Sequence, residues 1–364
     1  MRVAFYAPLK PPGHDVPSGD RTIARLLFKA LESTGHDVFL ASELRLYEGQ
    51  GDKDAQQDIE YKAMDEAQRL IEQGGIDVWI TYHHYAKAPD FIGSAVTAAL
   101  KIPYVLIEAS IAEKHAVGAY ARWYQESVRI VLQADRVLQF NPKDCAAVEP
   151  LLKPGAAQEL LPLFIDIPPL VHPLVCPLGG DAKPRLLTVA MHREGAKLRS
   201  YQLLAAALQP ITAPWTLDII GDGAARAAVE QAFAGFPPGR VRFLGAQAIE
   251  EMPEVYAAYD LFVWPAIDEA LGMALLEAQA AGLPVIAGAS PGVATLVEDG
   301  VTGLLPPSGD AAAFAAAVQR LLQDAALRRQ YGQAGSEKAR TVHGLRGAAK
   351  RLERLLHELC PAAR

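Results

Sequence analysis

Residues 269–287 read EALGMALLEAQAAGLPVIA, and the fold prediction starts from this stretch. The apolar run Asp260–Trp264 just before it predicts a buried strand that ends at Pro265. Ala270–Ala281 is apolar on every side, which predicts a helix buried all round. Gly282 ends that helix, and a further apolar run begins the next strand. A strand, a helix and a strand in this order indicate a parallel sheet with covered faces.

Two glutamates, eight positions apart, are the acids of this stretch. A carboxylate is costly in apolar surroundings unless something satisfies it. Glu269 precedes the predicted helix, where the backbone N–H groups of Leu271, Gly272 and Met273 could hold a phosphate or a hydroxyl. Glu277, about two turns further on, could accept hydrogen bonds from both hydroxyls of a ribose. The alternatives are that Glu269 only caps the helix and that Glu277 pairs with an arginine.

The whole chain alternates strands and helices in two blocks. In the first half we expect strands and helices at these ranges: Val3–Ala7, Val38–Ala41, Asp77–Thr81, Tyr104–Ile107 and Arg136–Phe140 as strands, Ala55–Glu72 and Gly118–Gln133 as helices. A proline-rich segment follows, and the alternation resumes after it. The predicted domains are 1–168 and 185–344, joined by a linker at 169–184. A C-terminal amphipathic helix lies within 345–364, and one alternative is that it packs back onto the first domain.

The composition narrows the class of protein. The chain has 364 residues, of which 51% are hydrophobic and 21% charged, as in a globular protein. Its net charge of −7 argues against a nucleic-acid partner. Cys145, Cys176 and Cys360 are scattered, without zinc or redox spacing, which predicts reduced thiols in the cytoplasm. No signal peptide and no membrane span are expected, whereas peripheral membrane contact stays compatible with the sequence.

The stretch 269–287 resembles the signature of the retaining GT-B glycosyltransferases of family 4, the glycosyl transferases of group 1. The resemblance continues through LDIIGDG (217–223), VRFLG (241–245), YDLFVWP (259–265) and DGVTGLLPPSGD (299–310). It implies a GT-B fold, in which two Rossmann-like parallel-sheet domains face a central cleft. It also implies that Glu269 and the turn of Ala270, Leu271, Gly272 and Met273 contact the donor sugar and its distal phosphate. Glu277 would hold the ribose of a sugar nucleotide.

The same resemblance assigns further donor contacts. Relatives place an arginine and a lysine after the first strand of this domain, and Arg193 and Lys197 match them with a spacing one residue shorter. His192 and Arg199 are the alternatives to these two cations. Further candidate positions are Gly19 for the donor phosphate, where Ser18 replaces the first glycine of a pair, and Gly245 and Ala246 for the nucleobase.

In the first domain, His83 and His84 follow the strand Asp77–Thr81 and would lie at its carboxyl end. We favour His83 for a role in binding or catalysis. Relatives carry a histidine soon after the strand corresponding to Tyr104–Ile107, but here Glu108 lies near that place. His83 and Glu108 are therefore the candidate catalytic residues of this domain. A second departure is Thr295, where many relatives have a glutamate.

Two further motif matches give only weak evidence of a ligand-binding role. GDGAAR (221–226) resembles a dinucleotide fingerprint but lacks its third glycine. Asp52-Lys53-Asp54 resembles a metal-binding DxD motif but lies in a polar run, which favours a solvated loop. No metal site is predicted.

The sequence therefore predicts a glycosyltransferase of carbohydrate or glycoconjugate biosynthesis. It would move a sugar from a nucleoside-diphosphate donor to a hydroxyl acceptor, which could be a glycan, a lipid-linked acceptor or a small molecule. Retention of configuration and independence of metals or other cofactors are also expected. The alternatives are a sugar-nucleotide epimerase or phosphorylase, a non-catalytic sugar-nucleotide binder, and an NAD-dependent dehydrogenase, which the incomplete glycine fingerprint disfavours.

Overall fold

The computed structural model describes residues 1–16, 18–167 and 183–361. The chain divides into two compact units, Met1–Pro162 together with Leu345–Arg364 (unit 1) and Leu163–Gly344 (unit 2). Most of the linker predicted at 169–184, together with Cys176, lies outside the described residues.

Unit 1 is built on a six-stranded parallel sheet with the strand order β2-β1-β3-β4-β5-β6. Its strands are β1 (Arg2–Tyr6), β2 (Asp37–Leu40), β3 (Val78–Tyr85), β4 (Tyr104–Ser110), β5 (Arg136–Gln139) and β6 (Ala157–Leu160). The helices that alternate with them are α1 (Gly19–Glu32), α2 (Lys53–Gln73), α3 (Phe91–Leu100), α4 (Ala121–Gln133) and α5 (Pro142–Val148).

Unit 2 repeats the plan with a second six-stranded parallel sheet, in the order β12-β11-β10-β7-β8-β9. Its strands are β7 (Arg185–Val189), β8 (Thr216–Ile220), β9 (Val241–Gly245), β10 (Leu261–Trp264), β11 (Val285–Ala287) and β12 (Gly303–Leu304). Its helices are α6 (Ala196–Leu208), α7 (Arg226–Ala232), α8 (Met252–Ala257), α9 (Met273–Ala280), α10 (Pro291–Leu296), α11 (Ala311–Gln323) and α12 (Ala325–Val342).

The last helix, α13 (Leu345–Leu359), follows unit 2 along the chain but belongs to unit 1, where it packs against α1. Its apolar stripe, which includes Leu352, Leu355 and Leu356, is buried. Within the described residues, no helix is both long and apolar enough to cross a membrane.

Each sheet has one place where the strand order reverses. Counted from β7, the strands of unit 2 run 6-5-4-1-2-3, so the reversal lies between β7 and β10. In unit 1 it lies between β1 and β3. Crossover connections leave to opposite faces at such a point, and a crevice forms at the carboxyl ends of the two strands. The loops after β7 and β10, and those after β1 and β3, therefore border the places where ligands bind in folds of this kind.

The structure corrects several predicted boundaries. Helix α9 begins at Met273 rather than Ala270, because Ala266, Asp268 and Gly272 have positive φ angles that keep the chain in a loop. Strands β3 and β4 are longer than predicted and include the segments that were expected to follow them. The edge strand β6 (AQEL) and the two-residue β12 were missed, because neither forms an apolar run.

The polar run around Asp52 is not a loop as predicted. The Asp52 carboxylate accepts hydrogen bonds from the backbone N–H groups of Asp54 and Ala55 and so caps α2. Lys53 and Asp54 form the first turn of that helix, where an acidic side chain suits the helix dipole.

Close packing explains the two glycines of the GDG sequence after β8. Gly221 has a φ of 144°, and a Cβ atom there would lie 1.9 Å from the carbonyl oxygen of Ala190. A Cβ atom on Gly223 would lie 2.3 Å from the carbonyl oxygen of His192. The loop after β8 therefore lies directly against the loop after β7, and the two glycines allow this approach.

We expect Gly221→Ala to lower the free energy of unfolding by about 2–4 kcal/mol, because it adds a backbone clash to a strained φ angle. Gly235→Ala is the matched control, since its Cβ atom would come no nearer than 3.9 Å to another group. Urea denaturation of both variants measures the difference. Equal denaturation midpoints would show that the two loops do not depend on this contact.

Candidate active site

The centre of the site in unit 2 is an ion pair across the strand reversal. Lys197, at the start of α6 after β7, pairs through its Nζ with Oε2 of Glu269, which follows β10. The indole N–H of Trp264 donates to the same oxygen over 3.1 Å. The Lys197 ammonium also lies 5.3 Å from the centre of the Trp264 indole ring. Two residues 72 positions apart, both predicted from the sequence, thus meet at one point.

Glu269 does not cap helix α9. The N-cap residue is Gly272, and no side chain makes a capping hydrogen bond there. The alternative that Glu269 serves only as a helix cap is therefore wrong. The backbone N–H groups of Leu271, Gly272 and Met273 meet no acceptor within the described part of the chain. Such N–H groups at a helix start favour an anion.

The loop that carries Glu269 is strained. Ala266 and Asp268 have φ angles of 54° and 50°, in the left-handed region that non-glycine residues rarely adopt. Each costs on the order of 1–3 kcal/mol. The Ser200 hydroxyl holds the loop by accepting from the Ile267 N–H over 3.0 Å. The Arg199 guanidinium binds Asp268 at 2.5 Å, so Arg199, the alternative cation, already has an anionic partner.

Arg193 and His192 differ sharply in environment. The Arg193 side chain is exposed, and within the described residues it has no ion-pair partner. His192 is buried, with its ring 5.2 Å from that of Tyr201 and 6.4 Å from that of Phe243. Burial lowers the pKa of His192 and keeps it neutral. Of the two, only Arg193 can offer a charge to an anion at the surface.

Glu277 is held by a tyrosine rather than by an arginine, so the arginine alternative is wrong. The Tyr256 hydroxyl, from α8, donates to Oε2 of Glu277 over 2.8 Å. Burial raises the pKa of Glu277, and the hydrogen bond from Tyr256 opposes that shift. Its other oxygen, Oε1, accepts no hydrogen bond within the described residues. Glu277 can therefore accept from a ligand hydroxyl without breaking the bond to Tyr256.

The other positions considered in unit 2 are Gly245, Ala246, Ala270 and Thr295. Gly245 ends β9 with a φ of 72°, and a Cβ atom there would meet nothing within 4 Å. Ala246 follows it and is exposed, as is Ala270. The Thr295 hydroxyl donates to the carbonyl oxygen of Gly292 over 2.6 Å, within its own helix.

In unit 1 a second pair bridges the strand reversal. His83 lies in β3, and its Nδ1 is 3.2 Å from Oδ1 of Asp20 in the first turn of α1. Burial alone would raise the pKa of Asp20, but the hydrogen bond to His83 and the charge of that ring outweigh it, and the pKa is lowered. Ser18 caps α1 by accepting from the Arg21 N–H, and a Cβ atom on Gly19 would meet open space.

His84, the neighbour of His83, is a core residue. Its Nε2 lies 3.1 Å from the carbonyl oxygen of Ser127, and its Nδ1 accepts from the backbone N–H of Asp90. Burial lowers its pKa to about 4, so the ring is neutral. These contacts favour His83 over His84 for a role at the surface of the sheet edge.

Glu108 of β4 lies opposite His83 of β3 in the sheet register. The strand pairs on either side, Tyr82 with Ile107 and His84 with Ala109, place His83 and Glu108 at the same level of the sheet. Both have left-handed φ angles, 65° and 58°. Burial raises the pKa of Glu108 to about 7, against the opposing hydrogen bond from the Phe140 N–H and the charge of His83. A carboxyl group that titrates near neutrality at a strand end is typical of functional sites.

Three residues of these arrangements were not predicted as site residues. Asp20 directly follows Gly19, and Trp264 ends the strand before Pro265, so their positions were visible in the sequence. Tyr256 left no such signal, because helix packing alone brings α8 to Glu277. In the residues that the structure describes, no three His, Cys, Asp or Glu side chains are grouped so that they could hold a metal ion.

The raised pKa of Glu108 predicts a pH-dependent contribution to stability. Folding favours the protonated carboxyl, so the contribution is complete below the ordinary value of 4.5 and is lost as the pH rises to about 7. We expect the free energy of unfolding of the wild type to fall by about 1–3 kcal/mol from pH 5 to pH 8, relative to Glu108→Gln. Glu72→Gln, at an exposed position of α2, is the control and should follow the wild type. If the free energy of unfolding depends on pH in the same way for the wild type and Glu108→Gln, the raised pKa of Glu108 is contradicted.

Comparison with known proteins shows what this part of the chain is similar to. Residues 183–324 match the family model described as glycosyl transferases group 1. A D-inositol 3-phosphate glycosyltransferase of Salinispora arenicola is 41% identical over 111 residues, 29% of this chain and 25% of that protein. The sulfoquinovosyl transferase of Arabidopsis thaliana is 32% identical over 162 residues, 44% of this chain and 30% of that protein. The chain thus spans between about a quarter and a third of the length of these relatives.

Solved structures match the whole fold. Sucrose-phosphate synthase from Thermosynechococcus elongatus has a TM-score of 0.75 at 22% identity, with 100% of both chains covered. Anabaena HepE in complex with UDP and glucose has a TM-score of 0.70 at 18% identity, covering 99% of this chain and 100% of that one. The predicted fold class, GT-B with two Rossmann-like parallel sheets, is confirmed. Residues 183–324, which form most of unit 2, are thus similar to the glycosyl transferases of group 1.

Proposed function

We propose that this protein is a glycosyltransferase that moves a sugar from a nucleoside-diphosphate donor to a hydroxyl acceptor. One observation carries the proposal: Lys197 and Glu269 pair across the strand reversal of a domain that matches the glycosyl transferases of group 1. The printed names of the relatives support it, since they include glycosyltransferases and a protein in complex with UDP and glucose.

The donor would bind by its charged and polar groups. Arg193 and Lys197 would neutralise the diphosphate, and the N–H groups of Leu271, Gly272 and Met273 would donate to its distal oxygens. The free oxygen of Glu277 would accept from a ribose hydroxyl while Tyr256 holds the other. Transfer would need no divalent cation, because these two side-chain cations would offset the phosphate charge.

Transfer would break the bond between the anomeric carbon and the phosphate oxygen and form one to the acceptor oxygen. The acceptor proton would go to the departing phosphate, so attack and departure share one face and the configuration is retained. Negative charge grows on the leaving diphosphate, and positive charge grows at the sugar ring. Arg193 and Lys197 would stabilise the negative charge on the diphosphate, and the Glu269 carboxylate would stabilise the positive charge at the sugar ring.

We assign acceptor binding to unit 1, where His83 and Glu108 lie at the carboxyl ends of β3 and β4. The direct test of the function is a thermal-shift screen of UDP-, GDP-, ADP- and TDP-sugars, because a tight donor stabilises the fold by mass action. Product analysis with the best donor follows. Free nucleoside diphosphate with transferred or hydrolysed sugar supports transfer, whereas an altered sugar still on its nucleotide, or no turnover at all, contradicts it.

Glu269→Gln tests the role of the site carboxylate. We expect nucleoside-diphosphate affinity to stay near the wild-type value and kcat to fall about 100-fold, because the negative charge matters most in the transition state. Asp268→Asn is the control, since it removes a neighbouring carboxylate whose partner is Arg199. Unchanged kcat in Glu269→Gln would refute the proposed role.

Glu277→Ala tests the ribose contact. The contact is the same in the ground state and the transition state, so nucleotide affinity should fall by about 1.5–3 kcal/mol with kcat at saturating donor little changed. Tyr256→Phe keeps the carboxylate and should weaken binding less. A collapse of kcat at unchanged donor affinity would show that Glu277 has another role.

A further inference from the structure

A cluster of cations and aromatic rings lies at the carboxyl edge of the unit 1 sheet. Its members come from the end of β3 and from the loops after β2, β3 and β4. We name it the cation–aromatic cluster: Arg45, Tyr47, Tyr85, Lys87, His115 and Tyr120. Loops at the carboxyl ends of parallel strands are where such sheets bind ligands.

Direct contacts join the members in pairs. The Arg45 guanidinium lies 4.4 Å from the centre of the Tyr47 ring, and the Lys87 ammonium lies 4.7 Å from that of Tyr120. The His115 ring is 5.4 Å from Tyr120. These distances are within the range of cation–π and ring contacts.

Tyr85 connects the pairs to the strand reversal. Its ring is 5.3 Å from that of His83, the partner of Asp20. Burial raises the pKa of Tyr85, and the neighbouring Tyr47 and Asp20 raise it further, while the charge of Arg45 opposes them. The Tyr85 ring therefore joins the cluster to the His83–Asp20 pair.

The cations of the cluster are not neutralised by carboxylates. The Arg45 Nε donates to the carbonyl oxygen of Leu9 over 2.8 Å, and the Lys87 Nζ to that of Gly49 over 3.4 Å. Neither has an acidic partner within ion-pair distance in the described part of the chain, although the chain as a whole has a net charge of −7. Two uncompensated cations at one edge of an acidic protein favour an anionic ligand.

The nearby carboxylate, Glu48, contacts Tyr120 of the cluster and is otherwise held by backbone N–H groups. It is buried and accepts from the backbone N–H groups of Gln50 and Gly51 over 2.5 and 2.6 Å. Burial alone would raise the pKa of Glu48, but these backbone hydrogen bonds outweigh it and lower the pKa. Glu48 thus orders the loop after β2 without pairing with Arg45 or Lys87.

We propose that the cation–aromatic cluster is the acceptor subsite and that the acceptor is a hydroxyl compound carrying a phosphate group. The inference rests on the proposed function. Arg45 and Lys87 would bind the phosphate, since a guanidinium and an ammonium suit phosphate oxygens. The faces of Tyr47, Tyr85 and Tyr120 would pack against the C–H groups of a sugar or polyol ring. The His83–Asp20 pair would then lie beside the acceptor hydroxyls.

The test is calorimetric binding of matched compounds to the full chain. Glucose is compared with glucose 6-phosphate and glycerol with glycerol 3-phosphate, with inorganic phosphate as competitor. Vesicles of phosphatidylcholine with and without a phosphorylated inositol lipid distinguish a lipid headgroup from a soluble phosphate. We expect the phosphorylated member, soluble or in the vesicle, to bind at least about tenfold more tightly, because charge-assisted hydrogen bonds contribute about that much.

Arg45→Gln and Lys87→Gln should each reduce this preference about tenfold or more, while Lys62→Gln, which removes an exposed cation of α2, should leave it unchanged. A preference absent from the wild type, or undiminished in both variants, overturns the inference. UDP binding to the same variants reports on the proposed function separately and should equal that of the wild type. If the wild type itself does not bind UDP, the proposed function is contradicted instead.

Discussion

The reversal of strand order in each parallel sheet is the constraint on which both candidate sites depend. Where neighbouring crossovers leave to opposite faces, no helix covers the ends of the two central strands. Side chains from both strands can meet there. Lys197 and Glu269 meet across the reversal in unit 2, and Asp20 and His83 meet across the one in unit 1. The same topological feature has thus produced one acid–base pair in each unit.

Residues with strained backbone angles lie in these pairs or close to them. Four of the five non-glycine residues with positive φ angles in the described chain are Ala266 and Asp268, next to Glu269, and His83 and Glu108. Their neighbours hold them in place, as the Ser200 hydroxyl does for the loop after β10. Such strain persists only where surrounding contacts fix the conformation, and it presents side chains at angles that a relaxed strand or helix would not allow.

Much of the fold could be predicted because buried parallel strands appear as apolar runs and the surface helices as periodic ones. The pairing of Lys197 with Glu269 follows from their places after two such strands. Other features depend on tertiary contacts that leave no local trace. Tyr256 reaches Glu277 through helix packing. The residue type of Glu108 does not predict its left-handed φ angle. The catalytic and binding roles of these residues remain predictions, since they rest on resemblance and geometry.

The position of helix α13 has a consequence for how the chain folds during synthesis. Unit 2 is continuous in sequence, so all of its segments are available once Gly344 has left the ribosome. Unit 1 begins the chain, yet α1 lacks its packing partner until the segment Leu345–Leu359 has been made. Until then the surface of α1 that α13 covers is exposed to water. Unit 1, although it is synthesised before unit 2, can therefore complete its core only after all of unit 2 has been synthesised.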